Sequence, residues 1–303
     1  MEDNITQQIE KKNNKLRTRI SNLFLALGFL SLFVYYFLSA PFNNKDVVIH
    51  ISSNQSVGSV ASDLESRGAI RDSFTLKVFV KILKKGKGIV SGDYLIKKKS
   101  PIWIVAWQIG RGHHNVEPIK ITIREGLNNE EIAILLADKL SGFRKDLFLF
   151  NTNDKQGYLF PDTYFFFPMD EYDEIIEKLS NNFKNKTKDI SNLIKDKKWS
   201  DIIIMASILE GEAKGDEDAG IISGILWKRI LVGMPLQVDV DKNTYAKKGL
   251  PSKPLNNPGI STIKASMNPI ASQYLYYLHD KNGKVHYAST FEDHKKNINN
   301  YLK

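Results

Sequence analysis

Residues Ile20 to Ala40 read ISNLFLALGFLSLFVYYFLSA, 21 positions without a charge. As a helix, a run of that length crosses a hydrocarbon core about 30 Å thick. Tyr35 and Tyr36 lie toward its far end, where amphipathic rings favour the membrane–water interface. Lys11, Lys12, Lys15, Arg17 and Arg19 precede it. That basic cluster is expected to stay in the cytoplasm and to send everything after Ala40 across the membrane. A cleaved signal peptide is the rival. Its apolar region would be long for that role, and Leu38-Ser39-Ala40 followed by Pro41 is a poor small-x-small cleavage site. The expectation is therefore an uncleaved single-pass anchor at residues 20–40, with a cytoplasmic tail at 1–19 and an extracytoplasmic body.

Charge matters next. The 303 residues include 43 basic and 34 acidic ones, a net charge of +9, and no cysteine. The missing cysteine excludes a disulfide framework, thiolate zinc sites, iron–sulfur clusters and a thiol nucleophile. The tail of 19 residues holds five basic and three acidic groups, which leaves +7 on the expected exported part. A nucleic-acid partner is therefore not expected. An anionic envelope polymer or a lipid surface suits the excess better, and plain solvated lysines remain an equal alternative. The six histidines (His50, His113, His114, His279, His286 and His294) are scattered, with no H-E-x-x-H spacing, so no metal site is expected. Neither a G-x-S-x-G elbow nor a P-loop occurs. No cofactor is implied.

After the anchor, Val47–Ile51 is a β-branched run and reads as a strand. Ser56 to Gly68 reads as a short amphipathic helix on Val57, Val60, Ala61 and Leu64, closed by Gly68. Ser73 is expected to cap a second helix through Leu83, Tyr94–Ile96 to form a strand, and Pro101–Ile109 a helix ending at Gly110. Gly86, Gly88 and Gly92 read as a turn, not a dinucleotide loop. A related unit recurs from Ile119: an alternating strand through Ile123, then a helix capped by Asn128 or Asn129 that runs to Leu140. Two copies are a weak repeat signal. Such units serve as glycan-binding modules or as spacers.

The segment Gln156–Tyr164, QGYLFPDTY, is rich in aromatics. Its rings could stack on sugars, Tyr158 and Asp162 among the groups offered, or could plug a core. Tyr172 to about Ile194 reads as a helix. Ser200 is expected to cap another from Asp201 to about Ala213, with Glu210 and Glu212 at its end. Two residues apart, these carboxylates point to different helix faces and cannot form a close pair. Met205, Ile208 and Leu209 precede Glu212 at helical spacing, so Glu212 has the more apolar surroundings. Burial raises a carboxyl pKa, as an acid catalyst at neutral pH requires. Solvated helix-end carboxylates are the plainer alternative. Gly220–Leu231 reads as a helix ending at Gly233. The loops beyond it, with Gln237, Asp239, Asn243, Thr244, Tyr245 and Asn257, offer groups suited to sugar hydroxyls and acetamides. A short helix begins at Ile263. Tyr274–Leu278 and Val285–Ala288 read as a hairpin, and Phe291–Tyr301 as a last helix capped by Thr290.

The phrases GYLFPDTY, ASILEGEA, RILVGMPLQVD, NTY…GLP…NPG, YLYYL and HYASTFEDHKKNINNYL, in that order behind the anchor, resemble the endolytic murein transglycosylase (YceG-like) family. VVIHIS…VGSVASDLESRGAI and SGDYLIKKKSPIWIVAWQIGRG are similar to that family's LysM-like subdomain. The resemblance implies an α+β protein: an N-terminal transmembrane helix, a small LysM-like α/β subdomain at 41–118 and a mixed α+β catalytic domain at 119–303. It implies a lyase that cuts between N-acetylmuramic acid and N-acetylglucosamine in nascent peptidoglycan strands near cell-wall synthases, leaving 1,6-anhydro ends. In ASILEGEA the family's catalytic glutamate matches Glu212, and Glu210 matches the motif's second glutamate. Gln237, Asp239, Asn243, Thr244 and Tyr245 match its loop residues. Only Val240, Asp241 and Lys242 separate Asp239 from Asn243, where many members have a longer insertion, and Ser252 stands where a second proline is usual. His286 and His294 match family positions and would line the cleft or merely pack the hairpin and last helix. Two other functions compete: a non-catalytic wall-binding protein and a water-dependent muramidase.

Overall fold

The computed structural model describes residues 2–39, 41, 45–84, 88–192, 197–213 and 215–303. Ala40, Gly86 and Ile194 lie outside them. The chain divides into two compact units, Met1–Glu117 and Pro118–Lys303, of mixed helix and strand.

The first unit begins with α1 (Glu2–Leu38), which joins the expected tail and anchor in one continuous helix. Its Lys15–Tyr36 stretch is long and apolar enough to cross a membrane. Then come β1 (Val47–Ile51), α2 (Val57–Ser66), α3 (Ser73–Lys84), β2 (Gly92–Ile96) and α4 (Ile102–Arg111). β1 and β2 pair antiparallel, Ile49 opposite Tyr94. The alternate residues Ile49, Ile51, Tyr94 and Ile96 share one buried core with Val60, Leu64, Leu76, Val105 and Ile109 of the three helices. Ser56 caps α2 by accepting from the Ser59 N–H. Two cap expectations need correction. The Asp72 carboxylate, 2.6 Å from the Thr75 N–H, caps α3, and Ser73 is its first residue. α4 runs past Gly110 because the left-handed turn that ends it sits at Gly112, φ +75°.

The second unit opens with the same order of elements: β3 (Ile119–Thr122), α5 (Asn129–Lys139), α6 (Lys145–Asn151) and β4 (Thr163–Phe166). The repeat signal thus has a structural counterpart, strand–helix–helix–strand in each case, with β3 and β4 antiparallel. Asn128 caps α5 in a reciprocal box with Glu131. α7 (Tyr172–Ser191) packs its Ile175, Ile176 and Leu179 face onto this core.

α8 (Trp199–Glu212) is the axis of the rest. Ile202 through Leu209 are all buried. A helix apolar on every side belongs inside a core, and each large aliphatic side chain buried there contributes about 2 kcal/mol. α8 begins two residues earlier than expected. Lys198 flanks its start, and Ser200 lies inside the first turn with its hydroxyl toward Asp201, not as the cap. α9 (Asp216–Leu231) and α10 (Ile260–Met267) pack on α8. β5 (Tyr276–His279), β6 (Val285–Ala288) and α11 (Phe291–Tyr301, capped by Thr290) close the unit.

Asn257 holds the loops together and is 1% exposed. Its side-chain oxygen accepts from the Gly157 and Leu159 N–H groups, and its amide donates to the Leu127 carbonyl and Asn129 Oδ1. All four of its hydrogen-bonding positions are filled by protein. This asparagine is an internal strut, not a sugar-recognition group.

Candidate active site

α8 leaves the core at its last turn, and Glu210 and Glu212 part there. Glu210 Oε2 accepts from the Gly259 N–H at 2.9 Å and from Thr262 Oγ1 at 2.7 Å. It anchors the N-terminus of α10, where a negative charge is favoured. Glu212 points the other way. Its Oε1 accepts from the N–H groups of Asp239 (2.8 Å) and Val240 (3.3 Å), and its Oε2 from the Tyr277 hydroxyl (3.0 Å).

Burial pushes the Glu212 carboxyl above its ordinary range, and the Asp239 charge adds a little. The three donors pull the other way, because each favours the ionised form. Burial prevails, so the proton is held more tightly than in water. Tyr277 is deeply buried beside two acids, and its hydroxyl is pushed far above the phenolic range. It therefore remains a donor at any physiological pH. Arg229 is 4% exposed, with Nε on the Leu275 carbonyl at 2.8 Å and Nη1 on the Leu236 carbonyl. Burial lowers its pKa from the guanidinium range. It places a fixed cation in the same wall as Glu212.

The loop after α9 brings the donors in. Pro235 bridges to Lys248 at its base. Gln237 adopts a left-handed backbone, φ +53°, which costs a non-glycine residue about 1–2 kcal/mol. The strain is held by bonds from the Gln237 N–H to the Thr244 carbonyl (3.1 Å) and from the Val238 N–H to Thr244 Oγ1 (3.0 Å). Asp241 accepts from the Asn243 N–H and side-chain amide, starting the 3-10 turn Lys242–Tyr245. Tyr245 donates to Asp239 Oδ1 at 2.8 Å, and burial together with that carboxylate pushes its hydroxyl up to about 12. The loop can lie this close because residue 211 is glycine: a Cβ there would meet Val240 Cγ1 at 2.1 Å.

A cleft of about 540 Å³ opens over Glu212. Of the residues singled out in the sequence, Glu212, Gln237, Asp239, Tyr245 and His294 line it. The others stand elsewhere. Glu210 anchors α10, and Thr244 and Asn243 brace the loop from within. Tyr158 packs edge-on to Phe183, 5.2 Å between centroids, in the core beside α8. Asp162 accepts from the Thr163 N–H, Asn182 and Lys186. The aromatic segment plugs a core, and its last two residues, Thr163 and Tyr164, begin strand β4. His294 lines the cleft. His286 instead pairs with Asp280 and stacks on Tyr301. Sequence reasoning missed Arg229, Tyr276 and Tyr277. Arg229 carried a readable signal: it falls at helical spacing from Ile222, Ile225 and Leu226, on the buried face of α9, where a charged side chain is rare unless it has fixed partners.

Residues 49–300 match the sequence profile of the YceG-like family. The chain belongs to that family. Similar proteins include an endolytic murein transglycosylase of Bacillus subtilis, 27% identical over 307 residues, with 84% of this chain and 85% of that one covered. One of Streptococcus pneumoniae is 23% identical over 322 residues, and the alignment takes in 84% of this chain but 58% of the longer pneumococcal protein. The crystal structure of a YceG-like protein from Listeria monocytogenes superposes with a TM-score of 0.51 at 23% identity, covering 84% of this chain and 99% of that one. That likeness speaks for a shared fold.

Proposed function

We propose that this YceG-like chain is a membrane-anchored lytic transglycosylase that cuts peptidoglycan glycan strands within their length. The observation that carries the proposal is Glu212: a half-buried carboxyl with a raised pKa, facing a cleft, at the end of a rigid helix. The protonated acid donates to the glycosidic oxygen between N-acetylmuramic acid and N-acetylglucosamine, and the bond to the anomeric carbon breaks. Positive charge develops on the sugar ring as negative charge develops on Glu212. Tyr277, the two loop N–H groups and the Arg229 charge stabilise that carboxylate as it forms. The carboxylate then takes the proton of the sugar's own 6-hydroxyl, whose oxygen closes on the anomeric carbon. The products are a free 4-hydroxyl on one fragment and a 1,6-anhydro-muramic end on the other. No water is consumed, and Glu212 is again protonated.

Asp239 is the second carboxylate in the cleft. Glycoside hydrolases use a second carboxylate to activate water or to attack the sugar. Here it accepts the Tyr245 hydroxyl, which we assign to holding the loop and orienting substrate. Gln237 and Tyr245, with Asp239, are the substrate-binding groups of this reading. The basic cluster before the apolar stretch of α1 puts the N-terminus in the cytoplasm and the cleft outside, where nascent strands leave the cell-wall synthases. The first unit's small α/β build is in keeping with the LysM-like resemblance and with a glycan-holding role.

The test is product mass on uncrosslinked glycan strands. Anhydro ends from the wild type and none from a folded Glu212→Gln variant support the proposal. Ends heavier by one water mean a hydrolase, and binding without cleavage at high protein concentration means a wall-binding protein.

A further inference from the structure

In the first unit, α3 carries Phe74, Val78 and Ile82 at a spacing of four, which aligns them on one side of the helix as a stripe about 12 Å long. All three face outward, Phe74 at 68% and Ile82 at 67% exposure. Lys77 and Lys81, both exposed, flank the stripe. α3 packs on α4, and α4 exposes Trp103 and Trp107, one turn apart and each 43% exposed. The unit's core is complete without these side chains. A long apolar stripe edged by lysines on one helix, with exposed tryptophans on the helix packed against it, is the composition of a surface that lies in the membrane interface.

Two contacts say where this surface is. α1 touches α4. Arg71, in the turn before α3, donates to the Tyr36 carbonyl at 3.4 Å, and its guanidinium sits 4.7 Å over the Tyr36 ring. Tyr36 is the last residue of the membrane-length stretch. The body of the unit is therefore fastened to the point where α1 leaves the apolar zone, within reach of the headgroups. We infer that the α3–α4 face is a second membrane contact: Phe74, Val78, Ile82, Trp103 and Trp107 seat in the outer headgroup–acyl boundary, and Lys77 and Lys81 pair with anionic lipid phosphates. A glycan chain is the less suitable occupant. Branched aliphatic side chains offer a sugar ring no flat face to stack on, whereas they suit an acyl-chain boundary. This inference rests on the anchored reading of α1, and the experiment separates the two.

Because the chain has no cysteine, single labels are clean. Spin labels are placed at Val78→Cys and Ile82→Cys in the full chain, reconstituted in vesicles of phosphatidylethanolamine and phosphatidylglycerol. Leu30→Cys reports on the span and Glu65→Cys on a water-facing site. Power saturation then compares collisions with oxygen and with a water-soluble nickel chelate. Positions 78 and 82 should favour oxygen and lie about 5–10 Å below the phosphates, position 30 should lie deeper, and position 65 should favour the chelate. If position 30 is deep but 78 and 82 match 65, the second contact is wrong and the anchor stands. If position 30 is itself in water, both readings fall. If soluble glycan oligomers shield 78 and 82 while lipid does not, the face belongs to glycan and the inference is overturned.

Discussion

Replacing Tyr277 by phenylalanine isolates one of the three donors on Glu212. The ring stays and fills the same volume, and only the hydroxyl 3.0 Å from Oε2 is lost. That hydroxyl favours the ionised carboxyl, and its loss lets burial act with less opposition. A hydrogen bond to a charged group contributes about 1.5–3 kcal/mol, and one to a neutral group about half of that. The difference of about 1 kcal/mol corresponds to a little under one pH unit. The direction follows from the acid's role. In the proposed mechanism Glu212 carries its proton at the start of the reaction, so the rate is expected to fall as pH rises through its pKa. Raising that pKa moves the alkaline limb of kcat/KM upward by that amount. At the plateau the rate should drop, because the nascent carboxylate has lost a stabilising donor. The assay is the initial rate of anhydro-end formation by mass spectrometry over a pH series. An unmoved limb, or one displaced to lower pH, would refute the chain of reasoning from this hydroxyl to the acid.

Glu212→Gln should lose activity yet gain stability at neutral pH. A carboxyl whose folded pKa is raised binds its proton more tightly when folded, so the wild type loses stability as pH rises from the unfolded value through the folded one. The variant's advantage should appear in urea titrations at pH 7 and vanish below the ordinary carboxyl pKa. Gly211→Ala should leave α8 intact but push Val240 away, cutting turnover sharply while melting changes little. Gln237→Gly should relieve the left-handed strain, leaving urea stability unchanged or up to about 1 kcal/mol higher, while KM rises from the lost side chain. Asn257→Ala should cost at least about 3 kcal/mol in urea titration, since it leaves buried N–H and C=O groups unpaired; a cost under 1 kcal/mol would mean that these loops are held by something else.

Local signals were the most legible. Ser56, Asn128 and Thr290 act as caps because their side chains sit one turn before N–H groups that need a partner, a relation written in a few consecutive letters. The last helix and the hairpin before it were readable for the same reason. α8 was readable as a helix and as apolar, but not as central, since its burial depends on α9, α10 and loops distant in sequence. The cap at Ser200 failed because Trp199 finds a place in the core and draws the helix back over it. In the site, the different faces of Glu210 and Glu212 and the apolar setting of Glu212 followed from helical spacing alone. Tyr277 lies 65 residues away, and nothing local marks it as a partner. Tyr158 and Asp162 misled because an aromatic loop that packs and one that binds sugar are spelled alike.

Two of the three groups that hold the Glu212 carboxyl belong to the peptide backbone. A conventional alanine scan would pass over Asp239 and Val240 without touching those amides, and would credit the acid's setting to Tyr277 alone. Replacing either amide by an ester through chemical synthesis would expose the missing share. Because those two amides belong to the main chain, side-chain replacement at Asp239 or Val240 leaves both donors facing the carboxyl, so long as the loop keeps its path past Gly211.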